Sequence, residues 1–202
     1  MNCRNFKNGF TLAEVLITTS ILAVISVAIF SVFMTGVSSW QIGEAKTQTQ
    51  QETRRAMEMM SKELRLSSAY HLQVLNDSGI QAYSGTRIIF QMPVYSQQQV
   101  QVDTGGQLVW GAEGTQGYWV SYQLVIPQGE TSGQLKRLVL TGDKITKISS
   151  AVLANRVAAI EFNGLPNNTY TPSSLEIILT KRNIIKGTET DMLLKSRIWL
   201  RN

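Results

Sequence analysis

The sequence predicts an α+β chain: one long N-terminal helix followed by mainly antiparallel strands. Three observations carry this. Residues 10–34 form an apolar run with Glu14 as its only charge. Residues 44–70 are good helix formers, and no proline occurs before Pro93. After Tyr70 the pattern changes to short β-like runs punctuated by Gly, Pro, Asn and Asp.

The first run is long enough to cross a membrane. Its 25 residues give about 37 Å of helix at 1.5 Å per residue, against a hydrocarbon core of about 30 Å. Arg4 and Lys7 precede it, and only Glu44 and Lys46 lie in the first dozen residues after Met34. The positive-inside rule then puts the N-terminus in the cytoplasm and the rest outside. A carboxylate in such a run is costly, at roughly 2.5–3.5 kcal/mol at a helix centre and less near an interface, so Glu14 is a functional-site candidate.

Beyond the membrane-length run, Ala56, Met60, Leu64 and Ser67 recur at helical spacing, with Met57 and Met59 nearby. This is one apolar face, expected to pack on a globular domain. The helix is expected over residues 10–70, with Gly36 as a local bend or melting point. Strands are expected near 87–93, 99–102, 108–110, 118–126, 135–140, 145–148, 157–162, 175–181 and 192–200. Residues 152–156 read as one helical turn, 163–174 as a loop, and 183–191 as the connection of a final hairpin. Asp103-Thr104-Gly105-Gly106 and residues 129–133 read as hairpin turns.

Composition narrows the function classes. The 202 residues carry a net charge of +5, with 43% hydrophobic and 16% charged residues and a mean hydropathy near zero. Removing residues 1–9 takes two of the 19 basic residues and leaves +3 against 14 acids. The basic residues are scattered, without the aromatic-interleaved patch that favours nucleic acid. Cys3 is the one cysteine, so no disulfide, thiolate metal site or cysteine nucleophile is expected in the remainder. His71 is the sole histidine, a helix-end residue with no carboxylate cluster beside it in sequence. Ser96, Ser121 and Ser149 lack a nucleophile-elbow context, and Gly105-Gly106 lacks the Gly-Lys-Ser/Thr of a phosphate loop. Asp103, Glu113, Glu130 and Asp143 are dispersed turn residues rather than a calcium loop. No enzyme activity, cofactor, metal or small-molecule substrate is expected. Tyr118, Trp119 and Tyr122 share one run, with one face expected in the core and the other a possible contact surface.

The N-terminus admits three readings. A secretory signal has a 7–15-residue apolar core and a small-residue cleavage site at its end; this run is longer and its polar residues lie at the front. A plain signal anchor fits the length but gives no reason for Glu14 or for Gly9-Phe10. Gly9-Phe10-Thr11-Leu12-Ala13-Glu14-Val15-Leu16, after a short basic leader, resembles the processing site of type IV pilins and type II secretion pseudopilins. The resemblance implies a pilin-like fold, in which the helix lies against an antiparallel sheet. It implies cleavage between Gly9 and Phe10 by a prepilin peptidase, with methylation of the new Phe10 amine. The leader 1–9 would be removed, leaving a helix over 10–70 that spans the membrane at about 10–34, and a periplasmic or extracellular domain over 71–202.

In the family the glutamate at this position is thought to pair with the N-terminal amine of a neighbouring subunit; within one helix, Phe10 and Glu14 are also i and i+4 and could pair internally. Implied partners are the peptidase, other pilin or pseudopilin subunits, an inner-membrane assembly platform and membrane lipid. The implied location is the bacterial inner membrane before assembly and a filament after it. Residues 153–162 and 175–179, with the closing Trp199-Leu200-Arg201-Asn202, resemble J-class minor pseudopilins and W-class minor pilins. A minor subunit at the tip or in the shaft is therefore expected. The alternative is a membrane-anchored binding or sensor module that does not polymerise. Related filaments also serve DNA uptake, and the mild basic charge does not decide that role.

Overall fold

A computed structural model describes residues 10–96, 98–166, 171–185 and 188–201. Helix α1 (Leu12–Leu64) and a 3₁₀ turn (Ala69–His71) precede thirteen strands. These are β1 (Leu72–Leu75), β2 (Ser84–Gly85), β3 (Arg87–Phe90), β4 (Met92–Pro93), β5 (Tyr95–Ser96), β6 (Gln99–Val100), β7 (Trp110–Ala112), β8 (Thr115–Gln116), β9 (Trp119–Val125), β10 (Gly133–Leu140), β11 (Lys147–Leu165), β12 (Ser174–Ile185) and β13 (Thr188–Trp199). The expected α+β architecture is observed: a long helix that is apolar in its first half, and a large antiparallel sheet.

The chain divides into two compact units, one ending at Lys46 and the other starting at Thr47. In the first unit the described part of α1 is almost wholly exposed and strongly apolar, long enough to cross a membrane by length and composition. Five of its hydroxyls are satisfied within the helix. Thr18, Thr19, Ser20, Ser26 and Thr35 each donate to a carbonyl four residues earlier, at 2.7–2.9 Å. Such back-bonding hides polar groups from hydrocarbon. The helix runs unbroken through Gly36, where a bend or melting point was expected; each amide there is held in the helical ladder, and open space surrounds the site.

In the second unit the last turns of α1 cover the sheet. Thr53, Ala56, Met57, Met60 and Leu64 are buried, as the apolar stripe predicts, while Met59 points outward. The helix ends at Leu64, six residues short of the expected Tyr70. Arg65 N–H still reaches the Ser61 carbonyl, but Leu66 and Ser67 bond three residues back, tightening the final turn. Ser67 and Ser68 then turn their hydroxyls to the 3₁₀ turn rather than continuing the helix.

The main sheet has the order β1-β3-β9-β10-β11-β12-β13, all antiparallel, with β2 joining β11 at Phe162 and Asn163. Small β4-β7-β8 and β5-β6 sheets lie beside it. Gly85 admits the close approach of β2: a Cβ there would sit 2.0 Å from the Leu75 carbonyl oxygen. The helix-facing side carries the main core, including Ile88, Phe90, Tyr122, Leu135, Ile160 and Phe162. The opposite face has a smaller cluster of Leu75, Ile89, Leu138 and Leu140 under Trp119, and the Lys144 ammonium sits 4.2 Å from that ring. The aromatic run thus serves both faces, Tyr122 inward and Trp119 outward into its own cluster.

The largest departure from the sequence reading is β11. The expected strands at 145–148 and 157–162 and the expected helical turn at 152–156 are one 19-residue strand. Pairing decides it: Val152 lies opposite Lys136 and Ala154 opposite Leu135, so a side chain that a short helix would leave exposed is buried against β10. The strand corners at Asn155-Arg156, where Arg156 has φ of 56°. Before the corner β11 pairs with β10, Val157 just after it pairs with both neighbours, and from Ala159 the partner is β12. Residues 183–191 are also no plain connection, because the β12–β13 ladder continues to Ile185 and Thr188. Asn163 to Leu165 extend β11 into the expected loop, whose residues 167–170 lie outside the described ones. The run expected at 87–93 breaks at Gln91, whose N–H reaches the His71 carbonyl. The expected 108–110 strand is displaced to Trp110–Ala112, where Met92 and Pro93 pair with it. The 103–106 turn forms as expected, with Asp103 Oδ1 accepting from Gly105 and Gln107 N–H.

Two ionic links tie α1 to the sheet. Glu63 accepts from Arg137 Nε at 3.0 Å and from the buried Tyr122 hydroxyl, and Arg137 Nη1 reaches Glu113 at 2.8 Å. Burial and the Glu63 carboxylate raise the Tyr122 pKa. Burial opposes the charge on Arg137, but its bonds to Glu63 and Glu113 outweigh that and raise its pKa. The second link sits at the β11 corner: Glu52 accepts from Asn155 N–H at 2.9 Å and from the buried Lys181 ammonium.

Candidate functional site

The site begins where α1 begins. Phe10 is exposed and precedes the helix; Gly9, the other half of the expected cleavage site, and the rest of the leader lie outside the described residues. Thr11 N–H and Oγ1–H donate to Glu14 Oε2 at 3.0 and 3.1 Å, and Glu14 N–H donates back to Thr11 Oγ1 at 3.3 Å. This reciprocal pattern is a capping box, Thr at the cap and Glu three residues on. It satisfies two amides that a helix start otherwise leaves orphaned, and it places a carboxylate at the positive end of the helix dipole. The signature of this cap is present in the sequence as Thr11-Leu12-Ala13-Glu14, inside the letters of the processing motif.

The two carboxylate oxygens differ in their surroundings. Oε2 holds the helix start, whereas no hydrogen bond to Oε1 occurs among the described residues. A free oxygen one turn from Phe10 is what an amine at that position, on this chain or another, would need. The surroundings are exposed apolar side chains such as Leu12, Val15, Leu16 and Ile17. In hydrocarbon, that neighbourhood makes an unpaired charge costly and a paired one tolerable.

Residues 4–30 match the family model for the prokaryotic N-terminal methylation motif. The match supports the type IV pilin and pseudopilin family, in which this motif directs processing by prepilin peptidase and assembly with other pilin subunits. It suggests a structural rather than an enzymatic protein, and together with the apolar helix it fits a membrane-anchored, single-pass chain. No curated protein and no solved structure matches the chain.

The other residues singled out in the sequence have local roles. His71 closes the 3₁₀ turn, stacks on Trp110 with centroids 4.1 Å apart, and places Nδ1 3.0 Å from Ser68 Oγ. Burial lowers its pKa. Ser121 accepts from Arg87 Nε at 3.1 Å. Asp143 accepts from the Thr141 and Thr146 hydroxyls and from the Ile145 and Thr146 amides, which hold its carboxyl well below the usual carboxylate range. It fastens the β10–β11 turn. Among the described residues no group of three or more His, Cys, Asp or Glu side chains could hold a metal ion.

Proposed function

We propose that the chain is a minor pilin or pseudopilin, inserted with its N-terminus in the cytoplasm of the inner membrane, cut between Gly9 and Phe10, methylated on the Phe10 amine, and built into a filament. Glu14 carries the reading. Its Oε2 holds the helix start and its Oε1 is open to an ammonium group in an apolar setting. Cleavage after Gly9 creates that ammonium group. A subunit whose Glu14 meets the Phe10 amine of a neighbour cancels two charges that are each unfavourable in hydrocarbon, and it does so at one axial register. The size of residues 71–202 and the resemblance of the last strands to the J and W classes favour a minor subunit over a repeating major one.

Glu14→Val tests assembly apart from insertion. The variant is expected to fractionate with membranes as the wild type does and to be depleted from sheared filaments; normal co-assembly overturns the register role. Gly9→Ala is expected to keep the leader, seen as slower migration than the processed protein, and processed-size migration counts against the cleavage site.

A further inference from the structure

The main sheet exposes three stretches of strand edge, and they are not alike. The outer side of β1 is covered by the chain's own return, with Gln81 bridging Leu75 and Ala82 N–H reaching the Val74 carbonyl. The first half of β11 is exposed but broken by register shifts near Lys147 and Ala154. Strand β13 is different. It pairs with β12 over twelve consecutive positions without a shift, and among the described residues nothing pairs with its other side. A long, regular, uncovered edge is a template for another strand unless something guards it.

The side chains on β13 are arranged by sign. Glu189, Asp191, Leu193, Lys195 and Arg197 are alternate residues, so they share one face of the strand, and all are exposed. Two acids lie on one side of Leu193 and two bases on the other. Leu193 itself is 63% exposed. The intervening residues Thr190, Met192, Leu194 and Ser196 carry no charge.

We propose that β13 is a self-pairing edge, which joins antiparallel to β13 of a second copy with Leu193 opposite Leu193. In that register Glu189 faces Arg197 of the other copy and Asp191 faces Lys195, so two-fold symmetry gives four opposite-charge pairs around an apolar centre. Thr190 meets Ser196 and Met192 meets Leu194 on the other face. Parallel in-register pairing would oppose every charge to its like. Antiparallel registers centred on Thr190 or Ser196 would oppose Glu189 to Asp191 or Lys195 to Arg197. Registers centred on Met192 or Leu194 keep two opposite-charge pairs each, against four for the Leu193 register, so the charge pattern sets the direction and favours that register. The charges are also held in place from the β12 side: Arg182 bonds Asp191 at 3.0 Å and Glu189 at 3.3 Å, and Glu176 bonds Lys195 at 3.0 Å. Each keeps about half its exposure, and so stays available to the second copy.

The two-fold axis is normal to the sheet, so the sheet-docked turns of α1 in the two copies run in opposite directions. The contact stands on the strand pattern alone and not on the filament reading.

The test uses the full chain in detergent with Cys3→Ser. Leu193→Cys places the two thiols directly opposite one another, and oxidation is expected to give a covalent dimer; Ser150→Cys, exposed on β11, is expected to stay monomeric. Adding Glu189→Lys and Asp191→Lys, or separately Lys195→Glu and Arg197→Glu, makes all four pairs like-charged. Each variant alone is expected to lose dimer by at least about tenfold, which 1.4 kcal/mol spread over the four pairs supplies. Mixing the two variants makes all four pairs complementary again, and a heterodimer is expected. The proposal is overturned if Leu193→Cys stays monomeric with its sheet circular dichroism intact, if charge reversal leaves the yield unchanged, or if mixing restores nothing.

Discussion

Glu14 has one observed role and one proposed role, and a single substitution confounds them. Three residues on from the cap, it fixes the start of α1; the role proposed for its free oxygen is to meet an ammonium group during assembly. Two variants separate them. Glu14→Gln keeps an oxygen for the Thr11 amide but removes the charge; it is expected to leave amide exchange of residues 11–14 near wild type and to fail in assembly as Glu14→Val does. Thr11→Val removes the hydroxyl that caps Glu14 N–H, at a cost of about 1 kcal/mol of helix stability. It is expected to raise exchange at the helix start while Glu14 still supports assembly. If Glu14→Gln assembled normally, the cap would be the residue's whole role.

The carboxylate stood out in the sequence as a lone charge inside an apolar run. The cap was legible too, in a four-residue signature, but the same letters belong to the processing motif, which drew attention to the charge instead. The local uses of His71 and Asp143 were hidden for a different reason. Their partners are Trp110 in one case and the turn from Thr141 to Thr146 in the other, and lone residues in a sequence do not announce what they meet.

At the scale of elements, the corner of β11 is where sequence reading and structure part. Residues 152–156 have helix-compatible letters, and nothing local shows that β10 will pair with them. Strand identity there is a tertiary effect: Leu135 and Ala154 face one another, and Arg156 takes a left-handed conformation to turn the strand from β10 toward β12. Glu52 holds this corner, accepting the Asn155 amide and pairing with Lys181, which is 3% exposed. Removing the carboxylate would leave a buried ammonium and an unpaired amide. Glu52→Ala is therefore expected to destabilise by ~2 kcal/mol, less than the 3–5 typical of a fully buried pair because Glu52 stays partly exposed.

The same link sets a pH dependence. Burial disfavours the charged form of Glu52, but hydrogen bonds from Lys181 and Asn155 outweigh this and hold its pKa below the ordinary value of about 4.3. A depressed acid pKa gives stability that is present above the unfolded value and is lost as pH falls through the folded one. Denaturant midpoints of wild type and Glu52→Ala should thus differ at pH 7, and the difference should shrink as pH falls below the ordinary carboxylate range and through the lower folded pKa. A constant difference across that range would show that the pairing is not electrostatic.

At the scale of the molecule, the α+β plan followed from a run of helix formers, read to residue 70, and from the short β-like runs punctuated by Gly, Pro, Asn and Asp that follow it. The stripe of Ala56, Met60 and Leu64 correctly foretold which helix face meets the sheet. Strand order was not legible, because β1, β3 and β9 become neighbours across long sequence separations and the alternating pattern specifies faces rather than partners. The same limit applied to β13. Its acid-acid-apolar-base-base order can be read in the sequence, but it acquires meaning only once the strand is known to lie at an edge with all five side chains on one exposed face.

The proposed assembly turns on the chemistry of the N-terminus. Glu14 has a partner in the filament only if Phe10 carries a free, terminal amine. The direct measurement is mass spectrometry of the N-terminal peptide from membranes that contain active prepilin peptidase. The account predicts a peptide that starts at Phe10 and carries one added methyl group. An intact leader starting at Met1 in those membranes would contradict it.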